Sequence, residues 1–190
     1  MLNTGLAIVG VSPKAMAATQ TATLPRCFFD FNDMANANKM GSYPYTPPLQ
    51  LFSGLKASVE LLLNEGMDNV YARHHRIAEG VRAAVKAWGL ELCAKKPEFY
   101  SDTVTAIMVP EGKDANLLTQ HAYRAYGVSF GGGLGKLAGK LFRIGHLGAM
   151  TDVMALSGIA TAEMTMVDLG YDITLGSGVA AAQRIYQRGV

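Results

Sequence analysis

Apolar positions recur along this chain with two periods, and each change of period marks an element. From Leu49, the residues Leu49, Phe52, Leu55, Val59, Leu62 and Leu63 return every three or four positions, the spacing of one helix face. Gly66 closes that stretch. Val70, Ile77, Val81, Ala84, Val85 and Trp88 form a second stripe, ended by Gly89. Asp114 predicts the cap of a helix reaching about Tyr126, with Gly127 closing it. Thr151-Asp152 opens a long helix to about Leu169, and Ser177 opens the last, to about Arg188. Near the start, Ser12-Pro13 pairs a capping residue with a proline at the first helical position.

Short apolar runs predict strands: Gly5 to Val11, Leu90 to Cys93, Thr103 to Val109, Val128 to Phe130 and Lys140 to Ile144. Leu24 to Met40 is expected to be irregular with a short helix. Gly41 to Pro48 holds three prolines and cannot be regular structure; Thr46 is the expected cap and Pro47 the first turn of the helix that follows. The later half alternates strand, strand, helix, strand, strand, helix. The fold class is therefore α/β, with a mixed or antiparallel sheet and helices on one face. The strand at 5–11 has no neighbour in sequence to pair with, as expected of a chain that begins inside a larger domain.

Composition narrows the function classes. Of 190 residues, 49% are hydrophobic and 17% charged, a globular balance. The net charge of +2 is spread without blocks, which argues against nucleic acid or a membrane surface as partner. Cys27 and Cys93 match no zinc or redox spacing and suit a reducing, cytoplasmic compartment. No basic residue precedes Lys14, so a secretory leader is not expected.

Candidate chemistry is sparse. Gly133-Leu134-Gly135-Lys136-Leu137-Ala138 has a dinucleotide-binding spacing but runs into a strand instead of a helix, and a tight connection explains it. His74 and His75 point about 100° apart on a helix and cannot share a metal. His146 stands near Arg143, lining a site or facing solvent. Arg143 lies in an apolar strand, where a charge needs a partner. It either grips a ligand carboxylate bidentately or forms an internal ion pair. Tyr43 and Thr46 sit on the proline-stiffened loop before a helix, placed either for packing and capping or as neutral donors to a phosphate.

Several ordered blocks together resemble one family. Met1-Leu2-Asn3-Thr4-Gly5-Leu6, Gly41 to Pro47, Asp68 to His74, Ser101 to Ala106, Gly132 to Gly135 and Gly139 to Gly148 are similar, in that order, to segments of class V, fold-type I aminotransferases of the alanine/serine–glyoxylate group, which use pyridoxal 5'-phosphate (PLP). The resemblance implies that 1–65 is a remnant of the large PLP-binding domain with the start of the interdomain helix. It makes 66–190 the α+β C-terminal small domain. It implies that Arg143 binds the substrate α-carboxylate, and that Tyr43 and Thr46 bind the PLP phosphate of the neighbouring subunit in a homodimer. The implied reaction moves an amino group from serine, alanine or aspartate to glyoxylate or another 2-oxo acid. The lysine that anchors the cofactor is expected upstream of Met1; Lys14 follows the matching segment and is no substitute. These 190 residues alone are expected not to transaminate. A non-enzymatic α/β interaction domain is the alternative. A desulfurase would need a cysteine on a mobile loop, which neither Cys27 nor Cys93 offers.

Overall fold

Short polar side chains start several of the helices. Ser12 Oγ accepts from Ala15 N (3.2 Å), Asp30 Oδ1 from Asn32 N (2.8 Å), Asp114 Oδ1 from Asn116 N (2.8 Å) and Thr151 Oγ1 from Met154 N (3.3 Å). Each satisfies a backbone donor that the first helical turn cannot. In the computed structural model, which describes residues 2–187, these caps begin α1 (Pro13–Ala18), α2 (Phe31–Lys39), α5 (Ala115–Tyr126) and α6 (Asp152–Asp168). Helices α3 (Leu49–Glu65), α4 (Met67–Ala87) and α7 (Ser177–Tyr186) complete the set. No helix among the described residues is long and apolar enough to cross a membrane.

Backbone contacts divide the chain into two units, Met1–Asn64 and Glu65–Val190. In the first, Ala37 alone is buried among the described residues, and Ile8, Phe29, Leu49 and Leu63 stand exposed. The segment at 5–11 forms no strand: Ile8 is 80% exposed. A strand is held by its neighbours, and every strand pair among the described residues lies in the second unit. Helix α3 begins at Leu49, later than expected, with the Pro48 carbonyl accepting from Phe52 N (3.2 Å). Pro47 precedes another proline and is pushed out of helical geometry, so Thr46 does not cap.

The second unit contains an antiparallel sheet in the order β1 (Val104–Met108), β3 (Leu141–Gly145), β2 (Gly131–Gly132). Phe142 opposes Ile107, and Arg143 opposes Ala106 on one side and Gly131 on the other. Thr105, Ile107, Phe142 and Ile144 are buried. Ile107, Phe142 and Ile144 pack with Ile77, Val81 and Trp88 of the α4 region, Leu118 of α5, Ile159 and Met166 of α6, and Tyr186 of α7. Two expected strands differ. Leu90 to Cys93 makes one bridge, Leu92 to Ile107, and is no strand. The expected strand at Val128 to Phe130 shifts to Gly131–Gly132, because Phe130 turns into the core, edge-on to Phe142, and the ladder forms beyond it. The predicted end of the last helix, Arg188, lies outside the described residues.

Candidate functional site

Arg143 sits at the centre of the middle strand, half-buried, on the face opposite Phe142 and Ile144. Its Nε donates to Gly132 O at 3.0 Å. That bond fixes the plane of the guanidinium and leaves its two terminal nitrogens, the fork that suits a carboxylate. Among the described residues, no carboxylate lies within ion-pair distance of Arg143. Its neighbours across the sheet are Ala106 and Gly131, whose small size keeps the face open.

His146 follows on the same chain run, but it neither faces solvent nor lines an open face: it is 1% exposed. Its Nδ1 is 3.1 Å from Asp102 O and its Nε2 is 2.8 Å from Thr105 Oγ1. A carbonyl only accepts, so Nδ1 carries the proton and Nε2 accepts from the threonine hydroxyl. Burial, aided by the Arg82 charge, holds its pKa below the usual histidine value, which keeps the ring neutral.

The loop after β3 is held from α4. His74, 7% exposed, has Nδ1 2.7 Å from Val70 O and accepts from Gly148 N through Nε2 at 3.0 Å. Arg73 donates to Gly148 O (2.8 Å) and Met150 O (3.3 Å). Glu65 grips Arg73 in turn, with contacts of 2.6 and 2.9 Å. His75 pairs with Asp102 and His121 with Asp168, both at the surface.

In the first unit, Tyr43 and Thr46 line a mostly apolar cavity of about 740 Å³ with Phe28, Phe31 and Phe52 among its other walls. Tyr43 stacks on Phe52 with ring centroids 5.1 Å apart. Both residues are exposed, and among the described residues neither hydroxyl has a hydrogen-bond partner. Cys27 is exposed, with Sγ 3.1 Å from the Tyr45 hydroxyl, and Cys93 is half-buried. Among the described residues, no three His, Cys, Asp or Glu side chains converge as metal ligands would.

No protein-family profile matches the chain. It is 66% identical over 188 residues to an L-aspartate–glyoxylate aminotransferase of Paracoccus denitrificans, covering 99% of this chain and 48% of that protein. It is 53% identical over 190 residues to the serine–glyoxylate aminotransferase of Hyphomicrobium methylovorum, covering 99% and 47%. The crystal structure of pyridoxamine–pyruvate aminotransferase from Mesorhizobium loti superposes with a TM-score of 0.87 at 34% identity, covering 95% of this chain and 47% of that one. Over nearly its whole length the chain is similar to one half of class V, fold-type I aminotransferases of the alanine/serine–glyoxylate group. It spans about half the length of the curated relatives it matches.

Aminotransferases of this group depend on PLP. Of the residues expected to serve such an enzyme, Arg143 lies in the second unit, and Tyr43 and Thr46 in the first. Sequence reasoning missed the supports of this strand: Gly131 and Gly132 beside Arg143, and Arg73 and His74 behind the loop that follows. The register that brings residue 131 to residue 143 is long-range and has no local signal. The two α4 residues carried one, a charged residue and a histidine flanking the apolar stripe that starts at Val70.

Proposed function

We propose that this chain is part of a PLP-dependent transaminase that moves an amino group from a small amino acid (serine, alanine or aspartate) to glyoxylate or another 2-oxo acid. The observation that carries the reading is Arg143: a guanidinium aimed by a backbone carbonyl, with no carboxylate of its own among the described residues. The names of the relatives support the reaction class. Arg143 binds the α-carboxylate that amino donor and oxo acceptor share, which fixes the reacting carbon relative to the cofactor.

The cofactor supplies an electron sink when bound. Tyr43 and Thr46 hold its phosphate from the partner subunit of a homodimer. Their chemistry fits: two neutral hydroxyls without internal partners, on a loop stiffened by Pro44, Pro47 and Pro48, before the N-terminus of α3. The exposed apolar surface of the first unit supports burial against other protein. The two unpaired cysteines support a reducing, cytoplasmic setting.

Steady-state kinetics of the full-length protein test this. Arg143→Lys should raise KM for donor and acceptor alike by about ten- to hundredfold, since a point charge replaces a fork. Tyr43→Phe with Thr46→Val should weaken PLP retention, measured by cofactor absorbance after gel filtration. Unchanged KM in the first variant would refute the role of Arg143, and unchanged cofactor affinity in the second would refute the loop.

A further inference from the structure

We propose that Gly131 is a positioning residue for the carboxylate-binding arginine, its missing side chain leaving the slot in which the Arg143 guanidinium lies. The inference rests on the reading of Arg143 given above and adds a residue to that site. Gly131 is directly opposite Arg143 in the antiparallel pair β2–β3. Residues so paired share a face of the sheet. A Cβ built at Gly131 would stand 3.1 Å from Arg143 Nε, and 3.3 Å from both Cζ and Nη2. Those separations are shorter than ordinary carbon contacts of about 3.5–4.0 Å. The arginine would have to give way by a few tenths of an ångström.

Backbone conformation does not explain the glycine, because Gly131 is not among the positive-φ glycines. Any residue could adopt this strand geometry; what the position excludes is a side chain. Gly132, the next residue, supplies the carbonyl that accepts from Nε at 3.0 Å. On the other flank Ala106 opposes Arg143, the smallest side chain after glycine. The row Gly131, Arg143, Ala106 is thus a shallow lane crossed by one long cation. One glycine lets the guanidinium lie down and its neighbour fixes it there.

The three atoms nearest a methyl group at 131 all belong to the far part of a flexible side chain. The fold can therefore absorb Gly131→Ala while the guanidinium is pushed aside by a few tenths of an ångström, which loosens its bond to the Gly132 carbonyl and shifts its fork relative to the substrate. The defect belongs in substrate binding, not in folding.

The test uses the full-length holoenzyme. Gly131→Ala should raise KM for both the amino acid and the oxo acid by about tenfold, the scale of one lost charge-assisted hydrogen bond, with kcat at saturation within about threefold. Gly131→Val should raise KM further. Gly158→Ala is the control, because a Cβ there meets nothing within 4 Å; its KM should not change. An unaltered KM in Gly131→Ala, beside a raised KM in Arg143→Lys, would overturn the role of Gly131 and leave the arginine's role standing. Unaltered KM in both would overturn the arginine reading itself.

A second measurement needs no glycine variant. The Arg143 Nε–H resonance in the unsubstituted protein, assigned by its loss in Arg143→Lys, should exchange slowly with water because it is donated to Gly132 O. Rapid exchange would equally overturn the proposal.

Discussion

Replacing Glu163 by glutamine removes the charge of a buried carboxylate without changing its volume, so the effect isolates electrostatics and hydrogen bonding. Glu163 lies on α6 and is 1% exposed. Its Oε1 accepts from Trp88 Nε1 (2.9 Å), Gly178 N (2.6 Å) and Val179 N (3.4 Å), and its Oε2 from Gly176 N (2.8 Å). Helix α7 begins with Gly176 at its cap position, which has no side chain to offer. Glu163 therefore supplies that cap from another helix, and the positive end of the α7 dipole favours its charge. A glutamine keeps one acceptor. Whichever way the amide turns, its NH2 meets backbone N–H groups, donor against donor. One buried bond is lost outright and the others lose their charge assistance. The expected cost is roughly 2–4 kcal/mol. For a unit of this size that is a fall in Tm of roughly 10 °C. Urea unfolding followed by tryptophan emission is a direct assay, since Trp88 is the chain's one tryptophan and bonds to Glu163 itself. Glu111→Gln, on an exposed residue, should change stability by less than about 0.5 kcal/mol. A Glu163→Gln effect as small as that comparator would refute the cap.

Gly80→Ala inverts a general rule. In a helix interior the change normally stabilises by about 1 kcal/mol. Here the added Cβ would overlap the ring of Tyr186, where α7 crosses α4, so a loss of about 1–3 kcal/mol is expected in the urea midpoint; a gain would refute the packing. His146 predicts a pH dependence. Its folded pKa lies below the ordinary histidine value of 6.5, chiefly through burial, so the unfolded chain takes up the proton first. Stability from this group is full above that value and is lost as pH falls through the folded pKa. Unfolding midpoints at about pH 7.5 and about pH 5.5 should differ less in His146→Gln than in the unsubstituted protein; an equal difference would count against a buried neutral ring.

Local chemistry was legible without a fold. Ser12, Asp114 and Thr151 are caps where the sequence places them, and Gly127 ends α5 in left-handed geometry, because each acts within a few residues of itself. The stripe from Val70 to Trp88 predicted α4. The same local reasoning failed at Thr46, where two successive prolines outweighed a good capping residue. It failed at 5–11, where strand-like composition had no strand beside it. Tertiary structure alone decided that His146 is sealed beneath Thr105, that Glu163 caps a helix from another helix, and that Gly131 lies against Arg143. Each joins residues 12 or more positions apart. Caps and stripes are short-range and are written into neighbouring positions. A buried hydrogen bond or a steric slot is set by which distant segments meet, and that follows from packing of the whole core.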